Sequence, residues 1–296
     1  MSSPWSSTRL GDLTGKRIIV TGATNGVGLG TVRALAAAGA DVILAVRNTG
    51  LGKQRAAEIG GTTQVAPLDL ADLASVRAFP GLIDGDIDIL INNAGAVTQH
   101  RTETVDGYET MLGTNALGPF ALTNLLLPRV RSLIINVGSD AHRSATWHPE
   151  DMHLRRHRWT PMGAYARSKL AVMLWGLELD RRLRAAGSPV VAQLTHPGWV
   201  ASNLSHVSDS PLMSLTHRIV KTAANRLAND IDEGAAPTLY CISEPIPSGS
   251  YVGVSGWRGL RGGPVLIGRS VLACDYDAAA RFVAFAENAT GTILAT

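Results

Sequence analysis

The chain has 296 residues, 45% hydrophobic and 17% charged, a balance that can bury a continuous core and excludes a disordered or fibrous chain. The formal charge is only +3, and Lys and Arg are scattered apart from a cluster at Arg155, Arg156, His157 and Arg158 that reads as a solvated loop. No basic stripe with interleaved aromatics is present, which excludes a nucleic-acid partner. Two cysteines, Cys241 and Cys274, are too few for a disulfide framework. No apolar run approaches the roughly 20 residues of a membrane span, and Met1 to Gly15 lacks the apolar core of a signal peptide. The expectation is a soluble, cytoplasmic protein with no membrane span.

Arg17-Ile18-Ile19-Val20 predicts a first strand, the glycine-rich Thr21 to Gly30 a tight turn, and the Ala/Leu-rich stretch to Ala38 a helix stopped by Gly39. A strand over 41–46, a helix over 50–59, a strand over 64–68 and a helix over 71–79 follow. A fourth strand over 87–91 is closed by Asn92-Asn93-Ala94-Gly95. This alternation predicts an α/β fold, a single Rossmann-type doubly wound parallel sheet with helices on both faces. Residues 108–127 predict one long helix ended by Pro128, 132–137 a fifth strand, 165–185 a helix and 190–194 a sixth strand. The segment 200–230 is polar and irregular before its helical pattern begins, and reads as a lid over the site. Residues 248–263 are glycine-rich and predict loop with a short strand at the start. With no repeat or low-complexity linker, residues 1–296 read as one domain: a tail over 1–14, a core over 15–199, the lid over 200–230 and a substrate-side segment over 231–296.

The turn after the first strand is Thr21-Gly22-Ala23-Thr24-Asn25-Gly26-Val27-Gly28. Gly22, Gly26 and Gly28 remove side chains where a backbone must turn sharply, approach a phosphate and pack a helix on a sheet. The helix N-terminus then offers unpaired N–H groups and a partial positive charge to a pyrophosphate. An NAD site usually ends the second strand with an acid for the ribose 2′-hydroxyl. Here Ala45-Val46-Arg47-Asn48 offers a guanidinium instead, and Arg47 can pair with a 2′-phosphate. NADP(H) is the expected cofactor and NAD(H) the alternative.

Tyr165-Ala166-Arg167-Ser168-Lys169 sets a phenol and an ammonium four residues apart on one helix face. A cation on that face is expected to stabilise the phenolate and lower the pKa of Tyr165, which makes proton exchange with a substrate hydroxyl feasible. Ser139 follows an apolar strand at its C-terminal end, where open α/β sheets bind ligands, and its hydroxyl can orient a carbonyl. Asn115 is an unfavourable residue for the interior of a long helix, which points to a buried polar role beside Lys169.

Taken in order, these pieces resemble the short-chain dehydrogenase/reductase family. The matching residues are Thr21-Gly22-x-x-x-Gly26-x-Gly28, Asp69-Leu70, Asn92-Asn93-Ala94-Gly95, Asn115, Ser139, Tyr165-x-x-x-Lys169 and Pro197-Gly198. A narrower resemblance, to the retinol-dehydrogenase-like branch that includes light-dependent protochlorophyllide reductase, rests on Ser139-Asp140-Ala141-His142, His196-Pro197-Gly198 and Asp232-Glu233-Gly234-Ala235. The tail from Tyr251-Val252-Gly253 to Arg261-Gly262-Gly263-Pro264 looks like actinobacterial members of that branch. The resemblance implies Tyr165 as general acid/base, Lys169 as its activator and ribose ligand, Ser139 as carbonyl-positioning hydroxyl and Asn115 in a water-linked proton relay. It also implies a cofactor groove. Gly22, Thr24, Asn25, Gly26, Val27 and Gly28 would lie under the phosphates, with Asp69 and Leu70 around the adenine. Asn92, Ala94 and Gly95 would line the floor, and Pro197, Val200 and Ser202 would lie near the nicotinamide.

The implied activity is hydride transfer between NADP(H) and a small apolar ketone, aldehyde or alcohol. Reduction of a C=C bond and a non-catalytic NADP-binding regulator are the alternatives. A homo-oligomer, dimer or tetramer, is a further expectation of the resemblance. No metal site is expected, because His142, His148, Asp151, His153 and His157 show no tight helical spacing. Trp147, Trp159, Trp199 and Met213 are candidates for an apolar substrate pocket.

Overall fold

The structure is a computed structural model that describes residues 5–200, 230–256 and 259–294. Eight strands form one sheet in the order β3-β2-β1-β4-β5-β6-β7-β8. They are β1 (Arg17–Thr21), β2 (Asp41–Val46), β3 (Thr63–Pro67), β4 (Ile87–Asn92), β5 (Val130–Val137), β6 (Val191–Thr195), β7 (Tyr251–Val254) and β8 (Pro264–Leu266). The first seven pair in parallel, and β8 adds an antiparallel edge through Val252–Leu266 and Val254–Pro264.

Alternation along the strands divides the core between the two faces of the sheet. Ile18 and Val20 pack on one face with Val42, Leu44, Ile89 and Ile91, under α1 (Gly26–Ala37), α2 (Thr49–Ile59) and α7 (Ile231–Ser243). Ile19 packs on the other with Ile43, Leu90 and Ile134, under α3 (Leu73–Ala78), α5 (Gly118–Leu126), α6 (Pro161–Ala185) and α8 (Tyr276–Thr290). Strands covered on both faces must be apolar throughout, which is why β1 and β4 read as continuous runs. Phe120 and Trp175 anchor the second face, fully buried and edge-to-face at 6.0 Å. Burial of such side chains contributes about 1.5–3 kcal/mol each.

The expected long helix over 108–127 is interrupted. An α-turn, α4 (Thr110–Leu112), opens into a π-turn at Gly113–Leu117 before α5 resumes. Pro119 has no N–H to return to the Asn115 carbonyl, so the regular ladder loosens where Asn115 sits. The helix expected over 71–79 is shorter: Asp72 caps Ala74, and after Ala78 a 3₁₀ turn carries Pro80. Helix α6 starts one turn earlier than expected, because Thr160 caps Gly163 at 3.1 Å and Pro161 fits the first helical position. Helix α7, edge strand β8 and helix α8 lie in the stretch that sequence reading left without elements. The expected strand near residue 248 is β7. The expected lid over 200–230 lies, apart from its two end residues, outside the described residues, as do Ser202 and Met213.

The order in which successive strands are added to the sheet reverses between β1 and β4. Open α/β sheets bind ligands outside the strand C-termini at such a switch point.

Candidate active site

Two loops are stitched together at the switch point. The Thr21 hydroxyl accepts from the backbone N–H groups of Asn93 and Ala94, each at 3.0 Å. Asn93 Nδ2 in turn donates to the Thr21 carbonyl at 2.8 Å. Gly22 turns at φ +68° with Ala94 so close that an added Cβ would lie 2.8 Å from its Cα. At Gly28 a Cβ would meet Asn93 Nδ2 at 2.4 Å and the Gly22 carbonyl oxygen at 2.6 Å. Helix α1 begins at Gly26 with Asn25 as N-cap, and the Asn25 side chain makes no capping bond. Its first N–H groups therefore keep their capacity for an anion.

Helix α7 packs tightly behind this turn. A Cβ at Gly234 would lie 2.6 Å from Val200 and 3.2 Å from Val27, and one at Gly30 would lie 2.7 Å from the Ile231 carbonyl oxygen. The Asp232-Glu233-Gly234-Ala235 stretch thus carries a close helix contact, supported by a capping box between Asp230 and Glu233.

Other residues expected around a cofactor lie at or after the C-terminal ends of β2, β3 and β4. Arg47 is exposed at the end of β2, and no hydrogen bond or ion pair holds it among the described residues. Arg55, which sequence reading missed, donates to the Thr24 carbonyl at 3.3 Å and pairs with Glu58 at 2.7 Å. A second guanidinium therefore lies against the glycine-rich turn, reached through α2 and invisible as a motif. Asp69 forms a turn by accepting from Ala71 N–H at 2.9 Å, and Leu70 is buried against Gly118. Asn92 is buried, and its amide donates inward to Thr123 and Asn136 at 2.8 Å each. Gly95 lies between two polar groups, since its Cβ would be 3.7 Å from both Asn115 Oδ1 and Lys169 Nζ.

Asn115, only 1% exposed, pairs with the backbone of Ala96, accepting from its N–H at 2.7 Å and donating to its carbonyl at 3.0 Å. It also donates to Ser168 Oγ at 2.9 Å, and Ser168 donates to the Tyr165 carbonyl at 2.8 Å. The Asn115 amide thus ties the β4 loop to α6.

Ser139 sits at the C-terminal end of β5, capping the turn Asp140–Ser144 by accepting from Ala141 N–H at 3.2 Å. Its hydroxyl neighbours the Tyr165 side chain closely enough to favour the phenolate. Lys169 is buried, donates to the Val137 carbonyl at 2.8 Å and lies 5.8 Å from the centre of the Tyr165 ring. Burial drives both ionisations. It raises the Tyr165 pKa above the ordinary phenol value, with the Ser139 hydroxyl opposing the rise. It also lowers Lys169 to about 8. The expected lowering of Tyr165 by Lys169 is not among the causes of its shift: desolvation of the phenolate sets the direction, and the same burial disfavours the charge on Lys169.

Sequence reading also passed over the support behind Ser139. His142 Nδ1 donates to the Ser139 carbonyl at 2.7 Å, and its Nε2 accepts from Ser270 N–H at 3.2 Å. That pattern requires a neutral ring, and burial lowers the His142 pKa accordingly. Tyr251 donates to Asp140 at 3.2 Å and meets the His142 ring edge-on at 5.8 Å. Pro197 and Gly198, the latter at φ +73°, follow β6, and Trp199 N–H bonds the Leu260 carbonyl at 2.9 Å.

Of the expected apolar pocket, Trp159 joins Val97, Met111, Leu154, Ala164 and Tyr165 in one cluster and donates to Glu109 at 3.2 Å. Trp147 packs into the main core, and Trp199 is 52% exposed. Ser139 and Tyr165 thus lie together beyond the C-terminal end of β5, with Trp159 and its apolar neighbours packed against Tyr165 and the uncapped α1 terminus beyond the end of β1.

Comparison with known proteins agrees. The family model for short chain dehydrogenase matches residues 16–211. A polyprenol dehydrogenase of Mus musculus is 38% identical over 251 residues, 78% of this chain and 72% of that protein. Retinol dehydrogenase 12 of Homo sapiens is 39% identical over 259 residues, 81% of this chain and 78% of that protein. A crystal structure of an uncharacterised Mycobacterium paratuberculosis protein superposes with a TM-score of 0.86 at 40% identity, covering 99% of this chain and 100% of that one. No helix among the described residues is long and apolar enough to cross a membrane. With the glycine turn, the switch-point crevice and this family match in agreement, the chain belongs to the short-chain dehydrogenase family of oxidoreductases.

Proposed function

We propose that this protein is an NADP(H)-dependent oxidoreductase that interconverts an apolar ketone or aldehyde and the corresponding alcohol, with Tyr165 as the proton-transferring group. The observation that carries the reading is the Tyr165 side chain beside Ser139 at the C-terminal end of β5, with Lys169 buried one turn further along α6 and 5.8 Å from the Tyr165 ring centre.

The residues present fit a dinucleotide. Gly22 and Gly28 sit where any side chain would collide with the neighbouring loop, and the uncapped α1 terminus suits a pyrophosphate. Gly22, Thr24, Asn25, Gly26, Val27 and Gly28 would hold the phosphates, and Asp69 and Leu70 the adenine. Asn92, Ala94 and Gly95 would line the floor, with Pro197, Val200 and Ser202 near the nicotinamide. Arg47, with Arg55 behind it, would pair with a 2′-phosphate. When bound, the cofactor supplies or accepts the hydride.

The chain handles the matching proton. Ser139 donates to the substrate oxygen and fixes it against the Tyr165 hydroxyl. A phenol whose pKa is raised stays protonated at neutral pH, so Tyr165 is prepared to give its proton to a carbonyl oxygen as charge develops there. Lys169 stabilises the phenolate left behind, and Asn115 links the far side of α6 to a water path that returns the proton. The apolar cluster of Val97, Met111, Trp159 and Tyr165 supports an apolar substrate, as do the names of the polyprenol and retinol dehydrogenases that the chain resembles.

The test is a screen of apolar aldehydes, ketones and alcohols that follows NADPH absorbance and identifies products, with Tyr165→Phe as control. The substitution removes only the transferable proton, so turnover should fall by about a thousandfold with cofactor affinity nearly intact. Turnover that survives it would overturn the mechanism. A product reduced at C=C would redirect the substrate class, and cofactor binding without any turnover would leave a regulator.

A further inference from the structure

The loop between the Asp140–Ser144 turn and α6 carries a group of side chains that the proposed reaction does not use. His148 and His157, nine positions apart, stack with ring centroids 3.8 Å apart and planes inclined by 23°. Glu150 Oε1 lies 3.5 Å from His148 Nδ1. One ligand-capable atom from each of the three residues lies within 4.8 Å of the others. Sequence reading set this segment aside for want of helical spacing, but loop closure brings the imidazoles together without it.

The donor set is held from behind. Asp151 is buried and accepts from the backbone N–H groups of Arg155, Arg156 and His157 at 2.8, 2.9 and 2.8 Å. It also accepts from His157 Nδ1 at 2.9 Å. A proton fixed on Nδ1 leaves the lone pair on Nε2, the arrangement in which a carboxylate orients a metal-binding imidazole and raises its basicity. Two near-parallel rings cannot both aim an in-plane lone pair at one ion, so occupancy requires the partly exposed His148 ring to turn out of the stack. Arg167 of α6 donates to the carbonyls of His148 and Asp151 at 3.3 and 2.8 Å, which fastens the turn to the helix carrying Tyr165. The candidate ligands are accessible, with side chains 31% (His148), 55% (Glu150) and 39% (His157) exposed.

We propose that His148, Glu150 and His157 form a binding site for a borderline divalent cation of the zinc class, with Asp151 orienting His157 and water completing the coordination. Two imidazoles and a carboxylate match the ligand preference of such an ion. Mg²⁺ and Ca²⁺ prefer oxygen donors and would bind poorly. Occupancy would link the two ends of the loop beside the substrate side of the cleft. The site stands independently of the redox reading, since none of its residues has a role in it.

The test is calorimetric titration of ZnCl₂ into the full chain, purified without a histidine tag and carrying Cys274→Ser to remove the exposed thiol. One equivalent should bind with micromolar affinity and survive an excess of Mg²⁺. His148→Asn and His157→Asn should each weaken binding by about tenfold or more, and Glu150→Gln by less. Circular dichroism and melting of the metal-free variants should match the parent, because the three side chains lie at the surface. If either histidine variant melts early, bound Co²⁺ in the parent provides the independent readout, its visible spectrum reporting nitrogen and oxygen donors. No saturable binding below millimolar Zn²⁺, or unchanged affinity in both histidine variants, would overturn the proposal.

Discussion

The two halves of the crevice are built by different means. The half at the ends of β1, β2 and β4 is shaped by backbone: positive-φ glycines, a helix terminus without a side-chain cap, and loops joined through Thr21 and Asn93. The half at the ends of β5 and β6 is shaped by side chains from distant parts of the chain. There His142 spans from Ser139 to Ser270, and Tyr251 reaches Asp140. A backbone-shaped site tolerates almost no added volume and recognises what every dinucleotide shares. A side-chain-shaped site can change its ligand by substitution while the strands stay in place.

The sharpest way to break this contrast is Gly28→Val. Its Cβ would sit 2.6 Å from the Gly22 carbonyl oxygen, a backbone atom that cannot rotate aside. Cofactor affinity should fall by about a hundredfold or more, and stability by about 1–3 kcal/mol through overpacking. Fluorescence titration of NADPH and thermal melting check both. Intact affinity would mean that the glycine approach does not shape the nucleotide half.

Arg47→Asp tests the exposed cation assigned to that half. Replacing a charge-assisted partner of a 2′-phosphate by a repelling acid should raise the Michaelis constant for NADPH by about ten- to a hundredfold. The constant for NADH should hardly change. An unchanged ratio would remove Arg47 and leave Arg55 as the candidate.

The smallest effect belongs to Lys169 and is read in stability. Burial lowers its folded pKa to about 8, whereas the unfolded chain keeps the ordinary lysine value near 10.5. Unfolding therefore takes up a proton between those values, and stability rises with pH across that window. The penalty for the buried ammonium is fully present below about pH 8. Lys169→Met should raise the melting midpoint by a few degrees at neutral pH, less whatever is lost by leaving the Val137 carbonyl without its donor. That gain should shrink as pH rises past about 8, while turnover is lost throughout. A difference that does not vary with pH would show that Lys169 is not depressed.

Much of this was legible before any coordinates. Strands β1, β2 and β4 appear as apolar runs because a parallel sheet covered on both faces admits little else. Gly22, Gly28, Tyr165 and Lys169 stand out because sharp turns and one-turn helical pairs are local. The break at Asn115 was half-visible: an asparagine in a helix signalled a polar role, but the π-turn also needed Pro119 and the fit of Gly118 against Leu70. Arg55, His142 and Ser168 were not legible as site residues, since each acquires its meaning from a partner on another element.

The amino-acid sequence alone determined the alternating architecture, the glycine-rich turn and the one-turn spacing of Tyr165 and Lys169. All of these are set within a few positions of chain by backbone sterics and by burial periodicity. Tertiary structure decided the ionisation of Tyr165 and Lys169, the anchoring of Ser139 from Ser270, and the meeting of His148 with His157. Desolvation and through-space contact depend on what the fold places around a group, which its neighbours in the chain do not specify.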